Sequence, residues 1–236
     1  MSRADAVVII SAQAEWTVVR DVYSELNVET TPFGEYGETV IEDIRVILMH
    51  GGWGKIAAAA SAQYAIDRWQ PRLLVNLGTC GGIAGQVQKG EILLVEQTLV
   101  YDICERMGDP QEALEFYTTR FDLPWAEGAL PLPVRRVRLL SADHDLDPAE
   151  VPLLRERFGA VAVDWESGAI AWVAARNHCP CLILRGVSDL VDETHGEAYA
   201  AFSVFQHGVV TVMRTLLSAL PAWLSLGLKA QMSRPL

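Results

Sequence analysis

Four acidic side chains sit where short apolar runs give way to polar residues, the places where a folded chain presents groups to a ligand. Glu15 follows Ile9-Ile10-Ser11-Ala12-Gln13-Ala14, the end of an apolar strand entering the first turn of a helix. Asp164 and Glu166 flank Trp165 in Ala162-Val163-Asp164-Trp165-Glu166-Ser167-Gly168, again at a strand-to-helix junction. Asp189 closes Leu182-Ile183-Leu184-Arg185-Gly186-Val187-Ser188-Asp189, a buried strand carrying Arg185, Ser188 and Asp189 to its carboxyl end, where open α/β sheets bind ligands. A fourth segment, Asn76-Leu77-Gly78-Thr79-Cys80-Gly81-Gly82, has the form of a strand running into a glycine-rich turn. There backbone amides and the Thr79 hydroxyl can approach a ligand closely. Its spacing fits neither GxGxxG before a helix nor GxxxxGK[ST], so dinucleotide and P-loop chemistry fail.

Each segment also has a plain structural explanation. A first-turn glutamate is ordinarily solvated, Glu166 and Asp189 can cap helices, and a glycine pair can make a turn that binds nothing. Yet carboxylates beside an aromatic face also grip a sugar diol under a flat base, and paired acids suit general acid–base work.

The elements that must position these groups follow from periodicity. Val7–Ile10, Val46–Met49, Leu73–Leu77, Ile92–Val95, Val161–Val163 and Leu182–Leu184 are continuous apolar runs, the mark of strands covered on both faces. Helical spacing predicts helices over about 55–69, ending before Pro71, over about 166–177, and over about 198–220 with Phe205, Val209, Val212, Met213, Leu216 and Leu217 on one stripe. This alternation predicts a three-layer α/β domain spanning residues 1–236, with no linker or repeat. Residues 101–133, rich in Pro and Gly, form an irregular insertion with one short helix near 111–117, of the kind that serves as a lid or subunit contact.

Composition narrows the function. The 236 residues are 50% hydrophobic and carry 30 acidic against 19 basic side chains, a formal charge of −11. Such a chain repels nucleic acid and anionic membrane surfaces, and Arg135-Arg136-Val137-Arg138 is too short a basic cluster to offset that. Cys179-Pro180-Cys181 is one residue too tight for a redox CxxC, no zinc pattern is completed, and the four cysteines fit a reducing cytoplasm. No signal peptide is expected at the N-terminus. The stretch 204–228, interrupted by His207, Arg214 and Pro221, is not expected to span a bilayer.

In order and spacing, SAQAEW (11–16), GGWGKIAAA (51–59), NLGTCGG (76–82), VDWESGAIA (163–171) and RGVSDLVDE (185–193) resemble the nucleoside phosphorylase/nucleosidase superfamily. The closest likeness is to the 5′-methylthioadenosine/S-adenosylhomocysteine nucleosidases, over about residues 7–217. The resemblance implies a mixed, partly barrel-like central sheet flanked by helices, a homodimer, and hydrolysis of the N-glycosidic bond of a purine nucleoside. It implies a small-molecule nucleoside as partner and no metal or redox cofactor. Asp189 matches the general acid toward purine N7, with Ser188 orienting it. Glu15 matches the base that holds water, Glu166 the carboxylate on the ribose hydroxyls, and Thr79 a hydroxyl near the water. Gly81, Leu146, Asp164 and Trp165 fall at further substrate-binding positions. Asn76 replaces an arginine found in phosphate-dependent relatives, and SAQAEW replaces their glycine-and-arginine phosphate loop, which favours water over phosphate as the acceptor. A phosphorylase and a non-catalytic nucleoside-binding module remain the alternatives. Two departures stand out. Asp164 replaces a longer Glu. Asp145 replaces the base-stacking aromatic, so Trp165 or the 101–133 loop supplies the stack, or the preferred base is not adenine. His50 and His195 receive no role.

Overall fold

Strands with apolar side chains on both faces need helices on both sides, and the chain supplies them. A computed structural model describes residues 3–232. Its elements are β1 (Ala6–Ile10), α1 (Gln13–Val22), β2 (Val28–Thr30), β3 (Glu35–Ile41), β4 (Ile44–His50), α2 (Gly54–Trp69), β5 (Leu73–Ile83), β6 (Ile92–Val100) and α3 (Pro110–Phe116). They continue as β7 (Thr118–Arg120), β8 (Arg135–Ser141), α4 (Val151–Phe158), β9 (Ala162–Asp164), α5 (Ser167–Arg176), β10 (Cys181–Val191), α6 (Glu197–Ala200) and α7 (Phe202–Met232).

The sheet runs β10-β6-β8-β9-β5-β1-β4-β3-β2, and β10 also pairs with β5, so β10, β6, β8, β9 and β5 close into a barrel. The remaining strands extend from β5 as an open wing. Directions are mixed: β10 is parallel to β5 but antiparallel to β6, and β9 is antiparallel to β5. Along β1, Ala6, Val8 and Ile10 pack towards α1 and α7, while Val7 and Ile9 pack towards α2 and α5. The expected three-layer α/β architecture with a mixed, partly closed sheet is therefore present.

Three expectations are corrected. Residues 78–83 are not a turn: they continue β5, paired to β10 on one side and β9 on the other. The glycines serve packing there, since a Cβ on Gly82 would fall 2.6 Å from both Val187 and Val87 side chains, and one on Gly78 would fall 2.9 Å from the Glu15 carboxylate. The helix expected over 198–220 is broken at Ala201 into α6 and α7. Pro221 does not end α7, which runs on to Met232. Proline removes one helical hydrogen bond, but the burial of Leu220, Trp223 and Leu224 around it outweighs that loss.

Over Phe202–Ala230 this helix is long and apolar enough to cross a bilayer by length and composition, with a mean hydropathy of 1.5. Half of that window is buried: Val209, Val212, Met213, Leu216 and Leu217 are withdrawn from solvent in the core beside β5 and β10. The insertion at 101–133 is more ordered than its composition implies. It holds α3, capped by Asp109 accepting from the Gln111 amide, and β7 paired on β6, while Leu123, Trp125, Leu130 and Leu132 pack on the core.

Helix α7 seats on β10 at Gly186, where a Cβ would fall 2.3 Å from Val212 Cγ1. Gly186→Ala should lower stability by about 1–3 kcal/mol through overpacking. Urea unfolding checks this; an unchanged midpoint would show that α7 does not bear on β10 there.

Candidate active site

Strand β10 delivers the chemistry through an irregularity. Its register against β5 shifts between Val187 and Asp189, leaving Ser188 as the extra residue. A bulge re-aims the side chains around it. Ser188 Oγ lies 2.6 Å from Asp189 Oδ1 and 3.2 Å from the Cys80 carbonyl, so the Asp189 carboxyl is held from behind. Burial raises the Asp189 pKa above its usual 3.8; the Ser188 hydrogen bond opposes this, and the charges of Glu197 and Asp145 add to the rise.

Glu15 enters from the third position of α1 and is only 4% exposed. Its Oε1 accepts from the Thr79 amide at 2.6 Å and the Thr79 hydroxyl at 2.8 Å, and its Oε2 accepts from the Ala12 amide at 3.2 Å. Burial raises its pKa, while the Arg185 charge and these three donors act the other way. Two of the donors are backbone N–H groups, which can only donate. The geometry is therefore that of a carboxylate.

Between these groups lies Arg185, 1% exposed. Its Nε donates to Asp164 Oδ2 at 2.8 Å and its Nη2 to Asn76 Oδ1 at 2.6 Å, while Asn76 Nδ2 donates to the Ile9 carbonyl at 2.9 Å. Asp164 also accepts from Ser141 Oγ at 2.6 Å, from the Ser167 amide at 3.0 Å and from the Ser167 hydroxyl. With those donors in place Asp164 is committed to the protein. The shorter side chain, noted in the sequence as a departure, is spent on Arg185 and the start of α5.

Glu166, 8% exposed, precedes the first residue of α5, and its Oε1 accepts from the Gly54 amide, the first of α2, at 3.1 Å. Burial first, then the Asp164 charge, push its pKa from 4.5 up to about 8. One backbone donor cannot hold Glu166 as a carboxylate in the way three hold Glu15.

A cavity of about 660 Å³ joins these groups. It is lined by every nominated residue: Glu15, Thr79, Gly81, Leu146, Asp164, Trp165, Glu166, Ser188 and Asp189. No lysine or arginine lines it among the described residues. Its volume suits a ligand of nucleoside size. His50 stacks on Trp16 and contacts the Ser11 carbonyl, and His195 pairs with Asp192; neither lines the cavity.

The sequence reading missed several lining residues. Trp53 stands 69% exposed at the mouth and stacks on Trp165, ring centroids 5.0 Å apart. Gly52 and Gly54, at φ +81° and +82°, make the left-handed turns that put it there. Two glycines around a tryptophan was a signal that could have been used. Tyr199, Phe202 and Phe205 line the opposite wall from α6 and the start of α7, with the Tyr199 hydroxyl donating to the Leu146 carbonyl at 2.7 Å. Aromatic surface thus comes from Trp165 and from this wall, and no described residue of 101–133 lines the cavity. The insertion meets the site at its rim, where Tyr101 packs edge-on against His144, a lining residue, with ring centroids 5.6 Å apart, and Asp102 pairs with Lys55.

Barrel, bulge and buried acids together define a known class. The model of the phosphorylase superfamily matches residues 6–220, and the chain belongs to that superfamily. Within it, the chain is 26% identical over 215 residues to the 5′-methylthioadenosine/S-adenosylhomocysteine nucleosidase of Bacillus pumilus, covering 83% of this chain and 90% of that one. Against the enzyme of the same name from Bacillus subtilis it is 25% identical over 210 residues, covering 84% and 90%. Among solved structures, the Helicobacter pylori nucleosidase of that name, bound to butyl-thio-DADMe-Immucillin-A, superposes with a TM-score of 0.78 at 16% identity, covering 93% of this chain and 99% of that one. The futalosine hydrolase of the same organism gives 0.78 at 18%, covering 92% and 97%.

The raised Glu166 pKa has a consequence for stability. An acid harder to ionise in the folded chain favours folding fully below its unfolded value of about 4.5, and that contribution is lost as pH rises towards about 8. Thermal midpoints should fall over that window, and Glu166→Gln should flatten the fall. A variant that keeps the wild-type slope would show that Glu166 ionises at an ordinary pH.

Proposed function

We propose that the protein hydrolyses the N-glycosidic bond of a purine nucleoside, with 5′-methylthioadenosine and S-adenosylhomocysteine as its substrates. The observation that carries this reading is the convergence of Glu15, Glu166 and Asp189 on one nucleoside-sized cavity with no lysine or arginine in its lining among the described residues. Glycosidic cleavage passes through an oxocarbenium-like sugar, so the site must protonate the departing base, supply water and tolerate positive charge. Asp189, whose pKa burial raises, donates its proton to purine N7 with Ser188 orienting it. Glu15, held as a carboxylate by Thr79 and Ala12, takes a proton from water as the water attacks the anomeric carbon. Glu166 hydrogen-bonds the ribose 2′ and 3′ hydroxyls. Asp164 acts through Arg185, as a positioning residue.

Phosphate would have to enter a cavity with five acidic side chains in its wall, and the nearby Arg185 is already bonded to Asp164 and Asn76. That favours water as the acceptor. We place the base against Leu146, Tyr199, Phe202 and Phe205 near Asp189, and the sugar over Trp165. The 5′ substituent then lies on Trp53, next to the Glu166 end of the cavity. Trp53 and Ile56, 69% and 85% exposed on the entry to α2, suit coverage by a second copy, which supports a homodimer. Free thiols at Cys80, Cys104, Cys179 and Cys181 suit the cytoplasm, and the reaction suits methionine salvage by a single domain spanning the chain.

Incubation with 5′-methylthioadenosine in phosphate-free buffer should release adenine. Release only after phosphate is added would make the protein a phosphorylase, and binding without turnover would make it a nucleoside-binding module. Asp189→Asn and Glu15→Gln should each lower turnover at least about a hundredfold, and wild-type rates in either would refute the mechanism. The wild-type rate should fall as pH rises through the elevated Asp189 pKa, because the acid must carry its proton. Trp53→Ala should lower kcat/KM for 5′-methylthioadenosine about tenfold more than for adenosine. Equal losses for the two would remove Trp53 from the 5′ subsite.

A further inference from the structure

Asp145 lines the base end of the cavity, yet among the described residues its carboxylate has no hydrogen-bond or ion-pair partner; only its backbone carbonyl is engaged, by His144 Nδ1. Nearby acids are matched differently. Glu197 pairs with Lys89 and accepts from the Leu190 amide, Asp164 pairs with Arg185, and Glu15 has three donors. Asp145 instead faces groups that its charge opposes. After burial, its charge is the next cause holding the Tyr199 phenol protonated, and it also adds to the elevation of Asp189. Asp145 is exposed, so solvent holds its charge in the empty cavity; a ligand that brings an N–H group replaces that water with a charge-assisted hydrogen bond, whereas one that brings an acceptor loses it.

The purine edge that meets Asp189 determines which N–H that is. The C6 substituent stands beside N7 on the same edge: a 6-amino group donates there, whereas a 6-oxo group presents only an acceptor. A carboxylate is acceptor-only, so it attracts the first and repels the second.

We propose that Asp145 selects the base, accepting a hydrogen bond from the 6-amino group of adenine and rejecting 6-oxopurines. The proposal rests on the placement of the base beside Asp189 given above. Where related chains carry a stacking aromatic, this one then has a hydrogen-bonding reader, and stacking passes to the Tyr199, Phe202 and Phe205 wall.

The test is a competition between 5′-methylthioadenosine and 5′-methylthioinosine, read as the ratio of kcat/KM values for the full chain and for Asp145→Asn and Asp145→Leu. The wild type should favour the 6-amino substrate. Asparagine, which can turn its amide to donate to a 6-oxo group, should lower that ratio at least about tenfold, and leucine should lower it by loss of the 6-amino substrate alone. A residue acting only through the Asp189 proton would shift the pH profiles of both substrates alike and leave the ratio unchanged, which would overturn the proposal. If no nucleoside is cleaved, hydrolysis fails as the function, and calorimetric binding of free adenine against hypoxanthine decides the role of Asp145. An adenine preference lost in Asp145→Asn would support it; no preference, or no binding, would overturn it.

Discussion

One buried cation organises this molecule. Arg185, 1% exposed, stands among Asp164, Glu15 and Glu166, and burial of so many acids around a single guanidinium leaves more negative charge than it can balance. Removing water makes each unbalanced charge expensive, so the cluster relieves itself by retaining protons. Which acid keeps a proton follows from the number of donors each one meets. Asp164 has the guanidinium, two hydroxyls and an amide; Glu15 has three donors; Glu166 has one amide and is pushed up to about 8. Truncating Arg185 would leave Asp164, Glu15 and Glu166 buried without the cation they share, at a cost of about 3–5 kcal/mol.

The fold exists around that cluster in a specific sense. Closing β10 onto β5 brings Arg185 beside Gly78, whose missing side chain lets the guanidinium and Glu15 lie together. The bulge at Ser188 then turns Asp189 into the cavity rather than into the sheet. A short β9, paired to β5 and β8, ends at Asp164 and releases Trp165 and Glu166 at the start of α5. Three strand ends from distant parts of the chain are thereby fixed by backbone hydrogen bonds. A site built on strands holds its geometry more tightly than one built on loops.

Much of this was legible in the amino-acid sequence. Continuous apolar runs marked the central strands because both faces are covered, and all nine nominated residues line one cavity. What local patterns could not show were consequences of closure. Gly78, Gly81 and Gly82 look like a turn to any reading of neighbours along the chain; only their pairing with β9 and β10 makes them a strand. The burial of Leu220, Trp223 and Leu224 likewise carries α7 through Pro221, a tertiary effect that overrides local helix preference. Phe205 reads as part of a core-facing helical stripe, and the break at Ala201 is what turns the segment carrying Tyr199, Phe202 and Phe205 into a cavity wall. The −11 charge argues against polyanionic partners; its finer meaning lies in the few carboxylates that are buried rather than solvated.

The unequal sharing of protons around Arg185 can be observed directly. Carbon-13 NMR of the protein labelled at its Asp and Glu carboxyl carbons, titrated from about pH 4 to pH 9, resolves each buried acid by its shift. The account predicts one carboxyl titrating near about 8 that disappears in Glu166→Gln. A spectrum in which every carboxyl titrates below about pH 5 would contradict it.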